Sequence, residues 1–212
     1  MTTRLAGLSV HAATLYRACR RAGASLGLGR LPFTRTVDAF LAAQVRRGPV
    51  NVRGHLMVLD AGDMLGLTSS GDYEPAEIEL IEGLVRPGDV VVDVGANIGY
   101  HTLILARLVG ESGTVYAYEP DPDNFRLLRR NVELNGYRNV RLSQAAVSDR
   151  SGTLTLFRSP DNSADHRTYL PTDEVRDGIA IVSYRLDDHL VALADGVNFV
   201  KIDIQGFELL AL

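Results

Sequence analysis

Acidic residues close two of the apolar runs in this sequence, and a glycine-rich turn follows the first of them. Asp93, Gly95, Asn97 and Gly99 form D-x-G-x-N-x-G directly after Val90, Val91 and Val92, with Ala96 inside the turn. Glu119 closes the run TVYAYE at 114–119. Lys201 and Asp203 alternate within VKIDI, and Glu208 follows Gly206. A strand, a tight glycine turn and a helix in succession bind nucleotides in many folds. A dinucleotide calls for G-x-G-x-x-G, whose middle glycine lets backbone approach a pyrophosphate. Counted from Gly95, that pattern needs glycine at 97 and 100, where this chain has Asn97 and Tyr100.

A carboxylate at 93 repels a diphosphate and attracts an ammonium. S-adenosylmethionine carries an α-ammonium and a sulfonium and has no phosphate, so it suits this turn better than NAD. Glu119 stands where an acid at the end of a second strand accepts the hydroxyls of a ribose. That position alone does not separate the two cofactors. The competing structural reading makes Asp93 a helix cap and leaves the glycines to packing. Asp121 and Asp123 form D-x-D around Pro122, which suits helix capping better than a metal site.

On a strand, Lys201 and Asp203 point to one face. Val200, Ile202 and Ile204 then face the core. Asp203 is the candidate base or acceptor-binding group for an attacking hydroxyl, with Lys201 beside it. The alternative is an ion pair of Lys201 with Asp203 or Glu208 that orders the turn. No second residue at convincing spacing joins Asp203 as a metal ligand, so no metal is expected. The histidines (His11, His55, His101, His166 and His189) are scattered.

These residues need strands that end together. Val90–Val94 is a nearly continuous apolar run, as in a strand buried on both faces of a parallel sheet. Helices are expected over 98–109, stopped by Gly110, and from Asp121-Pro122 to Asn135-Gly136. Further strands are expected at 140–147 and 197–204, with a hairpin into TLTLF at 153–157 extending the former. Residues 179–184 suggest another short strand, and 159–178 a polar surface loop. PVNVRGHLMVLD at 49–60 suggests a small hairpin, and Pro75 the first turn of a helix. Strands alternating with helices imply a doubly wound parallel α/β sheet, with ligands at the carboxyl ends of its strands. Leu5, Leu8, Ala12, Leu15 and Cys19 fall at helical spacing, so residues 1–47 read as a helical extension before a domain over 48–212. The extension is expected to pack on the domain or on a second copy of the chain.

Bulk composition fits an ordinary globular protein: 46% hydrophobic and 23% charged residues, with a net charge of −4. No basic run suggests nucleic acid as a partner, and Arg126, Arg129 and Arg130 read as a solvated helix face. Cys19 is the only cysteine, which excludes an intrachain disulfide and fits the cytoplasm. No apolar run approaches the roughly 20 residues that cross a bilayer.

Five segments together resemble one family. YEP (73–75), PGDVVVDVGANIGYHT (87–102), YAYEPDPDNFRLLRRNVELNG (116–136), AAVSD (145–149) and KIDIQGFE (201–208) are similar, in this order, to the FkbM family of S-adenosylmethionine-dependent methyltransferases. The resemblance covers about residues 50 to 212. It implies a Rossmann-like class I methyltransferase sheet of order 3-2-1-4-5-7-6 and O-methylation of a sugar, polyketide or other secondary metabolite. Carried over by motif, Asp93, Gly95, Ala96, Asn97 and Gly99 hold the methionine end of the cofactor. Glu119 holds the ribose, and Pro120 and Ala146 border the adenine. Gln205 stands where many members have glutamate. The sequence stops at Leu212, before the segments expected to form strands 5 to 7, so a chain incomplete at its C-terminus is expected. Three functions compete: an O-methyltransferase of a small-molecule or glycan acceptor, an NAD-dependent oxidoreductase, and a remnant that only binds cofactor.

Overall fold

A computed structural model describes residues 15, 18, 48–159, 162, 163, 165–169, 176–190 and 196–211. Apart from Leu15 and Ala18, which are both helical, the expected N-terminal helix lies outside the described residues. The chain forms two compact units, residues 1–75 and 76–212. In the first, β1 (Val50–Val52) and β2 (His55–Met57) pair antiparallel as the expected hairpin. Arg53 and Gly54 make the turn with positive φ, and Arg53 Nη1 lies 2.8 Å from Asp72 Oδ2. A short helix, α1 (Leu67–Ser70), follows.

The second unit begins within α2 (Pro75–Leu84), whose first residue is the expected proline. Its centre is a parallel sheet of β3 (Val90–Val94), β4 (Thr114–Tyr118), β5 (Val140–Ser143) and β9 (Phe199–Ile202). The order β5-β4-β3-β9 is the expected 3-2-1-4 arrangement. Val91, Val92 and Val94 are at most 1% exposed, as a central strand covered on both faces requires. The β3–β9 register pairs Asp93 with Lys201. Asn198 anchors that register: its N–H donates to Val90 O, and its Oδ1 accepts from Val90 N at 2.8 Å.

Helix α3 (Tyr100–Val109) follows β3, and α4 (Pro122–Leu134) follows β4. Asp121 caps α4 as expected, accepting from Asp123 N and Asn124 N. Arg126, Arg129 and Arg130 are exposed on that helix.

Four expectations are corrected. The strand expected at 140–147 is broken: β5 stays in the parallel sheet, while β6 (Ala146–Val147) joins a separate three-stranded sheet. The segment TLTLF does not fold back on it. Instead β7 (Gly152–Arg158) pairs antiparallel with β8 (Asp177–Tyr184), and β6 runs parallel to β8. The eight residues of β8 include 177 and 178, which were expected in the loop. Alternation identifies a half-buried strand but not its partner. Here Leu154, Leu156, Ile179 and Ile181 gather with Ala146 into their own apolar cluster. Lastly, Val200 is not core: it is 42% exposed, because β9 is the edge of the parallel sheet among the described residues. Short helices α5 (Leu186–His189) and α6 (Glu208–Ala211) flank β9 in sequence.

Candidate active site

Three acids meet at the carboxyl edge of the parallel sheet, on three adjacent strands. Asp93 lies near the end of β3, Glu119 directly follows β4, and Asp203 directly follows β9. The turn between β3 and α3 sits among them. Gly95 and Asn97 within it take left-handed backbone conformations, as does Gly99 at its end. Asparagine tolerates that region better than most residues. Glycine is required at 95 for a second reason. A Cβ there would lie 2.0 Å from the Asp203 carbonyl oxygen, so the turn packs directly against the end of β9. A Cβ on Gly99 would lie 2.8 Å from Leu128 Cδ1, so α4 seats against the start of α3.

Every backbone N–H from 95 to 99 is already engaged by the protein. Gly95 and Ala96 both donate to Tyr118 O at 3.0 Å, and Gly99 donates to Ala96 O. Asn97 N donates to Glu119 Oε2 at 2.8 Å, and Ile98 N donates to Asn97 Oδ1 at 2.7 Å. A phosphate cradle works by pointing free N–H groups at the anion. This turn offers none of its own.

Glu119 is 5% exposed. Its Oε1 accepts from Asp121 N at 2.9 Å and its Oε2 from Asn97 N at 2.8 Å. Each oxygen keeps a second lone pair for a ligand hydroxyl. Burial pushes the Glu119 carboxyl up to about 7, against the opposing pull of those two N–H donors.

Asp93 is fully buried. Its Oδ2 accepts from Thr102 Oγ1 at 2.6 Å, while its buried Oδ1 has no hydrogen-bond partner. Lys201 Nζ is the nearest cation, 3.8 Å from that Oδ1 and 3.7 Å from Asp203 Oδ2. Lys201 is 7% exposed and stands between the two carboxylates. The Asp203 side chain is 45% exposed. Of the two ion pairs weighed for Lys201, the one with Asp203 is present. Glu208 instead accepts from Ile204 N (3.1 Å) and Gly206 N (3.0 Å) and orders the turn. Those N–H groups hold its carboxyl below the usual range.

Pro120 lies half-buried between Glu119 and Asp121. Ala146 opens β6 and packs with Leu156 and Ile181. His101, buried on the first turn of α3, has Nε2 at 3.6 Å from Glu77 Oε1. The residues gathered at the sheet edge are thus Asp93, the 95–99 turn, Glu119, Lys201 and Asp203.

Some contacts carried no sequence signal. Arg158, at the end of β7, places Nε 2.9 Å from the buried Asp121 Oδ2, and His166 Nε2 lies 3.7 Å from the same oxygen. Asn131 Nδ2 donates to Ile98 O at 2.8 Å and ties α4 to the glycine turn. These partners lie far apart in the chain, and local pattern does not pair them.

A 3-2-1-4 parallel sheet with acids ending its first two strands, and a turn that withholds its N–H groups from anions, is the class I methyltransferase arrangement. The comparisons agree: residues 93–212 match the methyltransferase FkbM domain. The chain belongs to that family, and S-adenosylmethionine is its cofactor. The residues fit that group: Asp93 Oδ1 lacks the donor that an ammonium provides, and Glu119 keeps acceptor capacity for ribose hydroxyls.

Among curated relatives, the 31-O-demethyl-FK506 methyltransferase FkbM of Streptomyces tacrolimicus is 44% identical over 77 residues, which is 36% of this chain and 29% of that protein. A protein-L-isoaspartate O-methyltransferase of Methanothrix thermoacetophila is 46% identical over 56 residues, 26% of this chain and 27% of its own length. Methyltransferase 1 of Beauveria bassiana is 31% identical over 138 residues, covering 56% of this chain and 55% of that protein. The chain therefore spans between about a quarter and just over half of these relatives.

Proposed function

We propose that the chain acts in S-adenosylmethionine-dependent O-methylation of a hydroxyl on a small-molecule or glycan acceptor. The observation that carries the reading is the Glu119 carboxylate, buried and held by the N–H groups of Asn97 and Asp121 beside a turn with no N–H to spare. Such a site accepts hydroxyl donors and refuses a pyrophosphate. Asp93 faces the ammonium of the methionine end, within the turn formed by Gly95, Ala96, Asn97 and Gly99. Glu119 takes the ribose hydroxyls, and Pro120 and Ala146 border the adenine.

When bound, S-adenosylmethionine would supply a methyl group on a sulfonium, which an acceptor oxygen would take while sulfur kept the electron pair of the broken C–S bond. Alignment of the two reacting atoms accounts for much of the rate. Asp203, exposed enough to meet an acceptor, takes the hydroxyl proton. Lys201 is a positioning residue: its ammonium holds Asp203 and Asp93 at fixed places along the sheet edge.

The test is transfer of labelled methyl to three probe acceptors: 31-O-demethyl-FK506, a methyl hexopyranoside and an isoaspartyl peptide. The isoaspartyl peptide is the carboxyl arm that the Methanothrix relative's name suggests. Labelled ether on either alcohol, reduced at least about 100-fold by Asp203→Asn with S-adenosylhomocysteine binding retained, is the expected result. Methylation of the peptide alone, or an Asp203→Asn chain with parental rate, contradicts the reading.

A further inference from the structure

Asp93 is anchored through one oxygen only. Its Oδ2 accepts from Thr102 Oγ1 at 2.6 Å, while the buried Oδ1 has no hydrogen-bond partner among the described residues. Thr102 is the third residue of α3 and, like Asp93, has no exposed surface. A hydroxyl that donates to a carboxylate over so short a distance makes a strong, charge-assisted bond. A threonine inside a helix can instead bond the carbonyl three or four residues back. Here the carbonyl four residues back, Ile98 O, accepts from Asn131 Nδ2 at 2.8 Å. The single Thr102 hydroxyl proton is committed across to β3.

The other neighbour of Asp93 is Lys201, its partner in the β3–β9 register. Lys201 Nζ stands 3.8 Å from Asp93 Oδ1 and 3.7 Å from Asp203 Oδ2, beyond hydrogen-bond distance of both. Rotation about the last bond of an aspartate side chain is soft. An unanchored Asp93 would therefore turn an oxygen onto the Lys201 ammonium and close that gap. Lys201 fixes where the Asp93 charge sits; Thr102 fixes which way its oxygens point. We infer that Thr102 is a positioning residue for the cofactor: it keeps Asp93 Oδ1 turned away from Lys201 and free for the α-ammonium of the methionine end. This role rests on the proposed pairing of Asp93 with that ammonium. It concerns one end of the ligand only, because Glu119 is held by the N–H groups of Asn97 and Asp121 and not by Thr102.

The experiment measures calorimetric affinity at pH 8 for two ligands. S-adenosylhomocysteine carries the amino-acid end; 5′-methylthioadenosine keeps the adenosine and the sulfur and lacks that end. Thr102→Val keeps the shape of the side chain and removes its hydroxyl, and Thr102→Ser keeps the hydroxyl. Thr102→Val is expected to weaken S-adenosylhomocysteine at least about tenfold and to leave 5′-methylthioadenosine within about twofold. Thr102→Ser should stay within about threefold of the parent for both ligands. A role confined to packing would move the two ligands together. Parental S-adenosylhomocysteine affinity in Thr102→Val, an equal loss of both ligands, or a serine variant as weak as the valine variant overturns the inference. A parent chain that binds the two ligands equally overturns the pairing of Asp93 with the ammonium. One that binds neither overturns the proposed function as well, so the failures are distinct.

Discussion

Glu119 is the residue on which the cofactor reading turns, because its two carboxylate oxygens connect the glycine turn to the start of α4. In the free chain its proton is held up to about pH 7 by burial. Accepting two ribose hydroxyls requires the ionised form, so binding below pH 7 must expel a proton. The dissociation constant of S-adenosylhomocysteine is therefore expected to rise about tenfold from pH 8 to pH 6. Its binding enthalpy at pH 6 should vary with the ionisation heat of the buffer. The sign for stability follows from the same shift. A carboxyl raised in the folded state favours folding while protonated, and that contribution is lost as pH rises through about 7. A thermal melt of the free chain should thus fall between pH 5 and pH 8, and Glu119→Gln should flatten the slope. A chain whose affinity and melting point are both independent of pH over that range contradicts this assignment.

At the scale of elements, the cofactor side was legible and the three-stranded sheet was not. Asp93, Gly95, Asn97, Gly99, Asp121 and Pro122 are read locally, because caps and turns select residue types within a few positions. The alternation of strands and helices implied a parallel sheet, and the family resemblance implied the order of its four strands. The break after Ser143 followed from neither: Glu119 N closes the β4–β5 ladder at Ser143 O, and Ala146 then pairs with Ser183 in β8. That choice depends on a strand some thirty-odd positions away, beyond any local pattern. Arg158 and His166 were missed for the same reason. Asp121 ties α4 to β7. Its Oδ1 caps α4 and its Oδ2 meets Arg158. Asp121→Ala should cost about 2–3 kcal/mol in urea unfolding: about 1 for the cap, whose N–H donors are left bare, and the rest for the Arg158 contact. Asp121→Asn keeps an acceptor for the cap and should cost less. Equal losses in the two variants would mean that the charge on Asp121 dominates.

For the molecule as a whole, the parallel sheet presents β9 at its edge among the described residues. Val197, Val200, Leu209 and Leu210 are between 38% and 91% exposed there and on the helix that follows. Exposed apolar edges promote association between chains. Val200→Lys is expected to lower light scattering of the 212-residue chain at high concentration and to leave cofactor affinity unchanged, since Val200 points away from Lys201. An unaltered scattering signal would remove β9 from the association surface. The cofactor side of the sheet, by contrast, is internally braced: the turn is packed against the end of β9 through Gly95 and against α4 through Gly99 and Asn131. We propose that this braced turn grips a nucleoside that has no pyrophosphate. Calorimetric titration of the chain at pH 8 with S-adenosylhomocysteine and, separately, with NADH tests it most directly. Saturable binding of S-adenosylhomocysteine, weakened about 10- to 100-fold by Glu119→Gln, and no binding of NADH are expected. Tight binding of NADH, or S-adenosylhomocysteine binding indifferent to Glu119→Gln, would contradict it.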